Sequence, residues 1–137
     1  MSDCIFCKVI KGELPSYKLY EDDDVFVILD VGPINKGHVL IIAKEHAPTL
    51  LEASEELLCK IMKVAKKIAP AVVNATNADG FNFYQNNGED SGQMVPHLHF
   101  HIIPRFKGDG LFNSWPNKKY KEGEADEMLE KIKNEIK

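Results

Sequence analysis

Apolar and polar positions along the chain change period several times, and each change marks an element. Residues 4–12, Cys-Ile-Phe-Cys-Lys-Val-Ile-Lys-Gly, read as a short helix ending near Gly12, with Pro15 behind it. Residues 18–21 and 25–30 read as strands separated by the turn-like Asp22, Asp23 and Asp24, and 31–37 as a loop. Residues 38–44 are a third strand, whose unbroken apolar run predicts burial on both faces. The strongest helix signal spans 54–76, where Leu57, Leu58, Ile61, Met62, Ala65, Ile68, Ala69, Val72 and Val73 recur at steps of three and four. Glu55 and Glu56 suit its positive end, Cys59 lies off the stripe, and Pro70 is expected to kink or interrupt it. Residues 80–85 form a fourth strand and 86–94 a glycine-containing loop. A fifth strand carries alternating histidines and is stopped by Pro104; 107–117 is loop. Residues 124–136 form a last helix with Met128, Leu129, Ile132 and Ile136 on one side. This order predicts an α+β domain: a mostly antiparallel five-stranded sheet, one long helix and short terminal helices.

Composition narrows the function classes. The chain has 137 residues, the size of one domain. A net charge of −4 and a pI near 5.7 argue against a nucleic-acid partner. Arg105 is the only arginine, so no cluster exists for bidentate phosphate clamping. No apolar run is long enough to span a membrane, and the N-terminus lacks the pattern of a secretory signal. Three cysteines do not suggest a disulfide framework, and a reduced, cytoplasmic protein is the expectation.

Three of the five histidines fall in one segment, as His97, His99 and His101 alternating with Leu98, Phe100 and Ile102. On a strand the imidazoles share one face while the apolar residues point into the core. Each imidazolium would lower its neighbours' pKa, so at least one ring is expected to be neutral near pH 7. A neutral imidazole is a nucleophile, and its neighbours can donate hydrogen bonds. Two chemistries fit: attack of one histidine on phosphorus, or zinc binding by His-x-His. The bland alternative is a set of satisfied polar residues on a half-exposed strand.

The run His97-Leu-His-Phe-His-Ile-Ile103 resembles the signature of the histidine-triad (HIT) family, in which three histidines alternate with apolar residues. The segment from Asp30 to His46, with Pro33, Gly37, His38 and Lys44, is similar to a second motif of that family, and the resemblance runs from about residue 4 to 106. It implies a HIT-like fold and a hydrolase that releases a nucleoside monophosphate, AMP being expected, from phosphoramidates through a covalent nucleotidyl-histidine. Dinucleoside polyphosphate hydrolysis, a catalytic zinc and a non-catalytic nucleotide-binding module remain alternatives. By the same resemblance His99 is the nucleophile, His101 and His38 hydrogen-bond the phosphate oxygens, and His97 supports them. Asp30 would accept from the ribose hydroxyls, Ile5 and Phe6 would line the purine pocket, and Asn86, Gly92, Gln93 and Met94 would complete the nucleotide contacts. The loop 88–92 could add backbone N–H groups as an anion nest. Met94 departs from the family, which often has Ser or Thr there to help protonate a departing amine; a thioether cannot donate a proton.

Cys4 and Cys7 supply half of a four-ligand zinc site. The resemblance implies His46 and His97 as the other half, a structural ion that is not required for the chemical step. A redox pair is the poorer explanation, because no βαβ pattern surrounds the cysteines. A homodimer with sheets joined edge to edge is also implied, and the loop 111–116 could reach the partner.

Overall fold

The computed structural model of the chain describes residues 3–111 and 116–137. Its elements are α1 (Ile5–Ile10), β1 (Lys18–Glu21), β2 (Val25–Leu29), β3 (Val39–Ala43), α2 (Glu55–Thr76), β4 (Gly80–Tyr84), β5 (His99–Arg105) and α3 (Glu124–Glu135). The strands form one sheet in the order β1-β2-β3-β5-β4, and every neighbouring pair is antiparallel. The expected α+β architecture, an antiparallel five-stranded sheet with one long helix and short terminal helices, is therefore present.

Both faces of the central strands are buried, which is why β3 reads as a continuous apolar run. On one face Val25, Val27, Val39, Ile41, Phe100 and Ile102 pack against Leu57, Ile61, Val64, Ala65, Ile68 and Val72 of α2. On the other, Phe26, Ile28, Leu40 and Ile42 pack against Phe6 and Val9 of α1. Burying these side chains is worth about 2 kcal/mol each, against the ordering entropy of the chain. The register pairs His99 with Ile42 and His101 with Leu40, so both imidazoles lie on the α1 face. His38 immediately precedes β3 in the same alternation and joins them.

Several sequence expectations change. Pro70 does not interrupt α2, which runs its full 22 residues. Pro70 sits on the solvent side, where water can satisfy the carbonyl released by its missing N–H. Ser54 caps the helix by accepting from Leu57 N at 3.1 Å, and Asn77 ends it in the left-handed conformation. Pro104 does not stop β5 either. It pairs with Phe81, and pairing with β3 has already ended at Val39 and Ile102, so no acceptor on that side waits for an N–H. At its start β5 is shorter than expected: Pro96 and a tight turn from His97 N to Val95 O hold His97 outside the ladder. Met62, counted on the buried stripe of the long helix, is exposed. The apolar side of α3 is exposed as well, with no residue of that helix buried. Of the loop expected to reach a partner, residues 112–115 lie outside the described residues.

Gly37 ties the loop before β3 to the end of α2. Its φ is +98°, and a Cβ there would lie 2.6 Å from Thr76 Cγ2. Asn35 Nδ2 donates to Pro104 O at 2.8 Å and to Asp109 Oδ2 at 3.1 Å. Arg105, the lone arginine, is bound by both oxygens of Asp109 and by Asn82, which makes it a structural strut.

Candidate active site

A cleft of about 590 Å3 opens on the α1 face of the sheet. Ile5, Phe6, Val9, Leu14, Ile28 and Leu40 form an apolar wall, and Asp30, Asn86, His38, His99 and His101 supply the polar groups. Gly92 and Met94 stand at its edge. Apart from the family's Asp-x-x-Pro and histidine motifs, no local pattern distinguishes these residues from core or turn.

The partners of each imidazole fix which nitrogen carries the proton. His99 Nδ1 lies 2.7 Å from the carbonyl oxygen of His97. A carbonyl only accepts, so Nδ1 carries the hydrogen and the lone pair of the neutral ring is on Nε2. His38 Nδ1 accepts from Ile34 N at 3.1 Å, so its Nε2 carries the hydrogen and donates to His101 Nδ1 at 2.9 Å. His101 therefore holds its own hydrogen on Nε2. A backbone N–H thus sets, through two rings, the proton position of a third nitrogen.

All three rings are held neutral. Burial lowers the His99 pKa, against the opposing pull of the His97 carbonyl and Asp30. The expected influence of neighbouring imidazoles acts on His38 and His101, whereas at His99 desolvation is the lowering cause. Burial also lowers His38, with Asp30, 3.7 Å away, opposing. His101 falls from 6.5 to about 4 through burial and the positive charge that His99 and His38 would carry.

Tyr84, which the sequence did not single out, stacks on His101 with centroids 4.5 Å apart and planes 20° from parallel. The two residues are direct cross-strand partners. Pairing the fourth predicted strand with the histidine strand would have found it. Phe6 meets His99 edge-on at 4.9 Å and His97 at 5.9 Å, and so lies between two clusters.

The second cluster brings together the four residues expected to bind metal. Cys4 Sγ lies 3.2 Å, Cys7 Sγ 3.6 Å and His46 Nδ1 3.1 Å from His97 Nδ1, and Cys7 Sγ is 3.4 Å from His46 Nδ1. A tetrahedral zinc would separate two nitrogens by about 3.3 Å and a nitrogen and a sulfur by about 3.6 Å. The donor set fits. His97 Nε2 donates to Ala43 O at 2.6 Å, which leaves the Nδ1 lone pair facing the thiols. Asp30, His38 and His101 also approach one another, but His38 Nε2 carries a hydrogen there, so that trio is poorly suited to a metal.

Other expected site residues fall differently. His97 is fully buried and does not line the cleft; only its carbonyl reaches toward the nucleophile candidate. Gln93 also turns away, donating to Pro48 O at 2.6 Å and accepting from Gly88 N at 2.7 Å. The N–H groups of Gly88, Ser91, Gly92 and Gln93 are all bonded within the loop, so these four are not free to contribute to the expected anion nest. Gly92, at φ +98°, lets Asn86 Nδ2 approach within 3.4 Å of where a Cβ would stand.

Comparison with known proteins places this arrangement in context. An uncharacterised HIT-like protein of Borreliella burgdorferi is 50% identical over 113 residues, 81% of each chain. An adenosine 5'-monophosphoramidase of Candida albicans is 39% identical over 140 residues, covering 98% of this chain and 92% of that one. The crystal structure of a Streptococcus mutans protein superposes with a TM-score of 0.93 at 39% identity, over all of this chain and 87% of the other. A zinc-bound histidine-triad protein of Mycobacterium smegmatis matches with a TM-score of 0.76 at 36% identity, over 85% of both chains. The model of the HIT domain matches residues 11–108, which span all three cleft histidines, and the chain belongs to the HIT family.

Proposed function

We propose that the protein is a nucleotide hydrolase that cleaves purine nucleoside phosphoramidates, AMP conjugates first among them. One observation carries this reading: His99 has its Nδ1 hydrogen fixed on the His97 carbonyl, which puts a neutral Nε2 lone pair beside a nucleotide-sized cleft. His99 Nε2 attacks phosphorus, the P–N bond breaks, and the amine departs with a proton taken from water. Water then cleaves the nucleotidyl-imidazole to release the nucleoside monophosphate and restore the ring. His101 Nε2–H and Asn86 Nδ2 donate to the phosphate oxygens, and His38 holds His101 in that tautomer. Asp30 accepts from the ribose hydroxyls, and the wall of Ile5, Phe6, Val9 and Leu40 takes the base. The phosphoramidase name of the Candida albicans relative supports the same assignment.

The Cys4, Cys7, His46 and His97 set is read as a structural zinc site, supported by its donor geometry and by the zinc-bound relative. Bound there, the ion supplies a cross-link between α1 and the segment entering β5. The exposed outer edge of β4 and the uncovered apolar side of α3 suit a homodimer, measurable by light scattering at micromolar concentration. Three free thiols suit a reducing, cytoplasmic setting.

The decisive experiment is intact-mass spectrometry after rapid acid quench of protein mixed with adenosine 5'-phosphoramidate. The wild type gains one adenylyl group and His99→Ala gains none. Turnover by His99→Ala at the wild-type rate would refute the reading.

A further inference from the structure

Helix α1 is fastened to the sheet by side chains alone. The backbone bonds of residues 4–13 close within that segment, among them Lys8 N to Cys4 O, Lys11 N to Cys7 O, Gly12 N to Val9 O and Glu13 N to Lys8 O. Two attachments remain. Phe6 and Val9 pack on Phe26, Ile28, Leu40 and Ile42, and Cys4 and Cys7 meet His46 and His97. Among the described residues no other hydrogen bond and no ion pair joins residues 4–13 to the rest of the chain. A helix of six residues has little stability of its own, so these two attachments decide where it sits.

The attachments serve different sites. Cys4 and Cys7 stand at the metal cluster, whereas Ile5, Phe6 and Val9 line the cleft. A groove of about 400 Å3 runs along the boundary. Cys4 and His46 of the cluster line it, and so do Ile5, Met94 and Val95, which line the cleft as well. Cys4, Cys7 and His46 are only half-buried, so the groove reaches the cluster without the sheet opening. Release of an ion from the cluster frees the thiol end of α1, and the helix then rests on Phe6 and Val9 alone. A purine packed on Ile5 and Phe6 restores the lost restraint from the other side. Ligands that favour the same placement of a shared element raise each other's affinity by one common factor.

Resting on the hydrolase reading and its zinc site, we propose that zinc and nucleotide bind with positive coupling through α1, so that an occupied cleft slows zinc loss and a metal-free chain binds nucleotide more weakly. Zinc then leaves chiefly from the empty enzyme, and metal supply sets the fraction of chains that hold nucleotide well. Ile5 is the residue of α1 common to cleft and groove, and it carries the coupling.

The test uses the intact zinc-loaded chain, AMP as a ligand that is not turned over, and an excess of a chromogenic chelator. Zinc release should be about tenfold slower with saturating AMP than without it. The weak hold of AMP itself on zinc works the other way and would hasten release. The assay is read on the loaded chain, so it stands whether or not the metal-free chain folds fully. Calorimetry should give the matching factor, with AMP bound about tenfold more weakly by the metal-free chain. Ile5→Ala, at an exposed position, should keep its zinc but lose most of the protection at saturating AMP. Release unaffected by bound AMP, or protection undiminished in Ile5→Ala, would overturn the coupling and leave the hydrolase reading in place. A chain that binds no AMP in either metal state would overturn the nucleotide reading, and one that binds no zinc would overturn the metal site; the coupling falls with either.

Discussion

Two imidazole clusters stand on adjacent stretches of one segment, and they use the same ring in opposite ways. At His97 the backbone carbonyl of Ala43 takes the Nε2 hydrogen, so the Nδ1 lone pair faces two thiols and His46. At His99 the carbonyl of His97 takes the Nδ1 hydrogen, so the Nε2 lone pair is left beside the cleft. The rings are of one kind, both buried and both with lowered pKa. What differs is which nitrogen a carbonyl has claimed, and that choice suits one ring to the proposed metal site and the other to the proposed nucleophilic role. The clusters are also joined, because the carbonyl that orients His99 belongs to His97 and Phe6 touches both rings.

The sharpest way to break the comparison is to delete one ring at a time. His99→Ala should reduce turnover by about ten-thousand-fold or more while leaving bound metal per chain unchanged, as measured by elemental mass spectrometry. Cys4→Ser with Cys7→Ser should do the reverse. Bound zinc should fall to background and the thermal midpoint should drop by about 10 °C, on the order of 3 kcal/mol, with a smaller, roughly tenfold loss of turnover as α1 loosens. Parallel losses of metal and activity in both variants would mean that the two clusters are one site.

Smaller changes sharpen the proton assignments. His38→Phe keeps a ring but removes the donor to His101 Nδ1, so kcat should fall about a hundredfold with KM little changed. The pH dependence follows from the lowered pKa values. The unfolded chain takes up protons near pH 6.5 while native His101 resists until about 4, so the unfolded state binds more protons across that window. Stability is therefore fully present above about pH 6.5 and drains as pH falls toward about 4. Urea unfolding midpoints should decline across this range, and His101→Gln should decline less steeply. Tyr84→Leu removes the stacked face from His101 and should cost the least, about tenfold in kcat, with Tyr84→Phe restoring it.

Much of the fold was legible in the sequence because its signals are local. The alternation at 97–102 fixed which side the histidines share, and the unbroken run at 39–43 announced a strand covered on both faces by α1 and α2. The misjudged features depend on distant partners. Pro104 is tolerated because β3 has ended, and Pro70 because that side of α2 meets water. Tyr84 enters the site through cross-strand register, which one strand alone does not encode. The loop 88–92 has the glycines of a nest, yet the N–H groups of Gly88, Ser91 and Gly92 are taken by Gln93 and by the loop's own carbonyls. The neutrality of His99 also has a non-local origin, in burial under Phe6 and its neighbours.

The close seat of Gly37 against Thr76 reaches further than a turn residue usually does. The loop pinned there presents Ile34 N–H to His38, and through it decides where His101 keeps its hydrogen. A methyl group at position 37 would push that loop off the end of α2, a helix that packs on the opposite side of the sheet from the cleft. The address of one proton is thus written from behind the sheet, by a carbon atom that is not there.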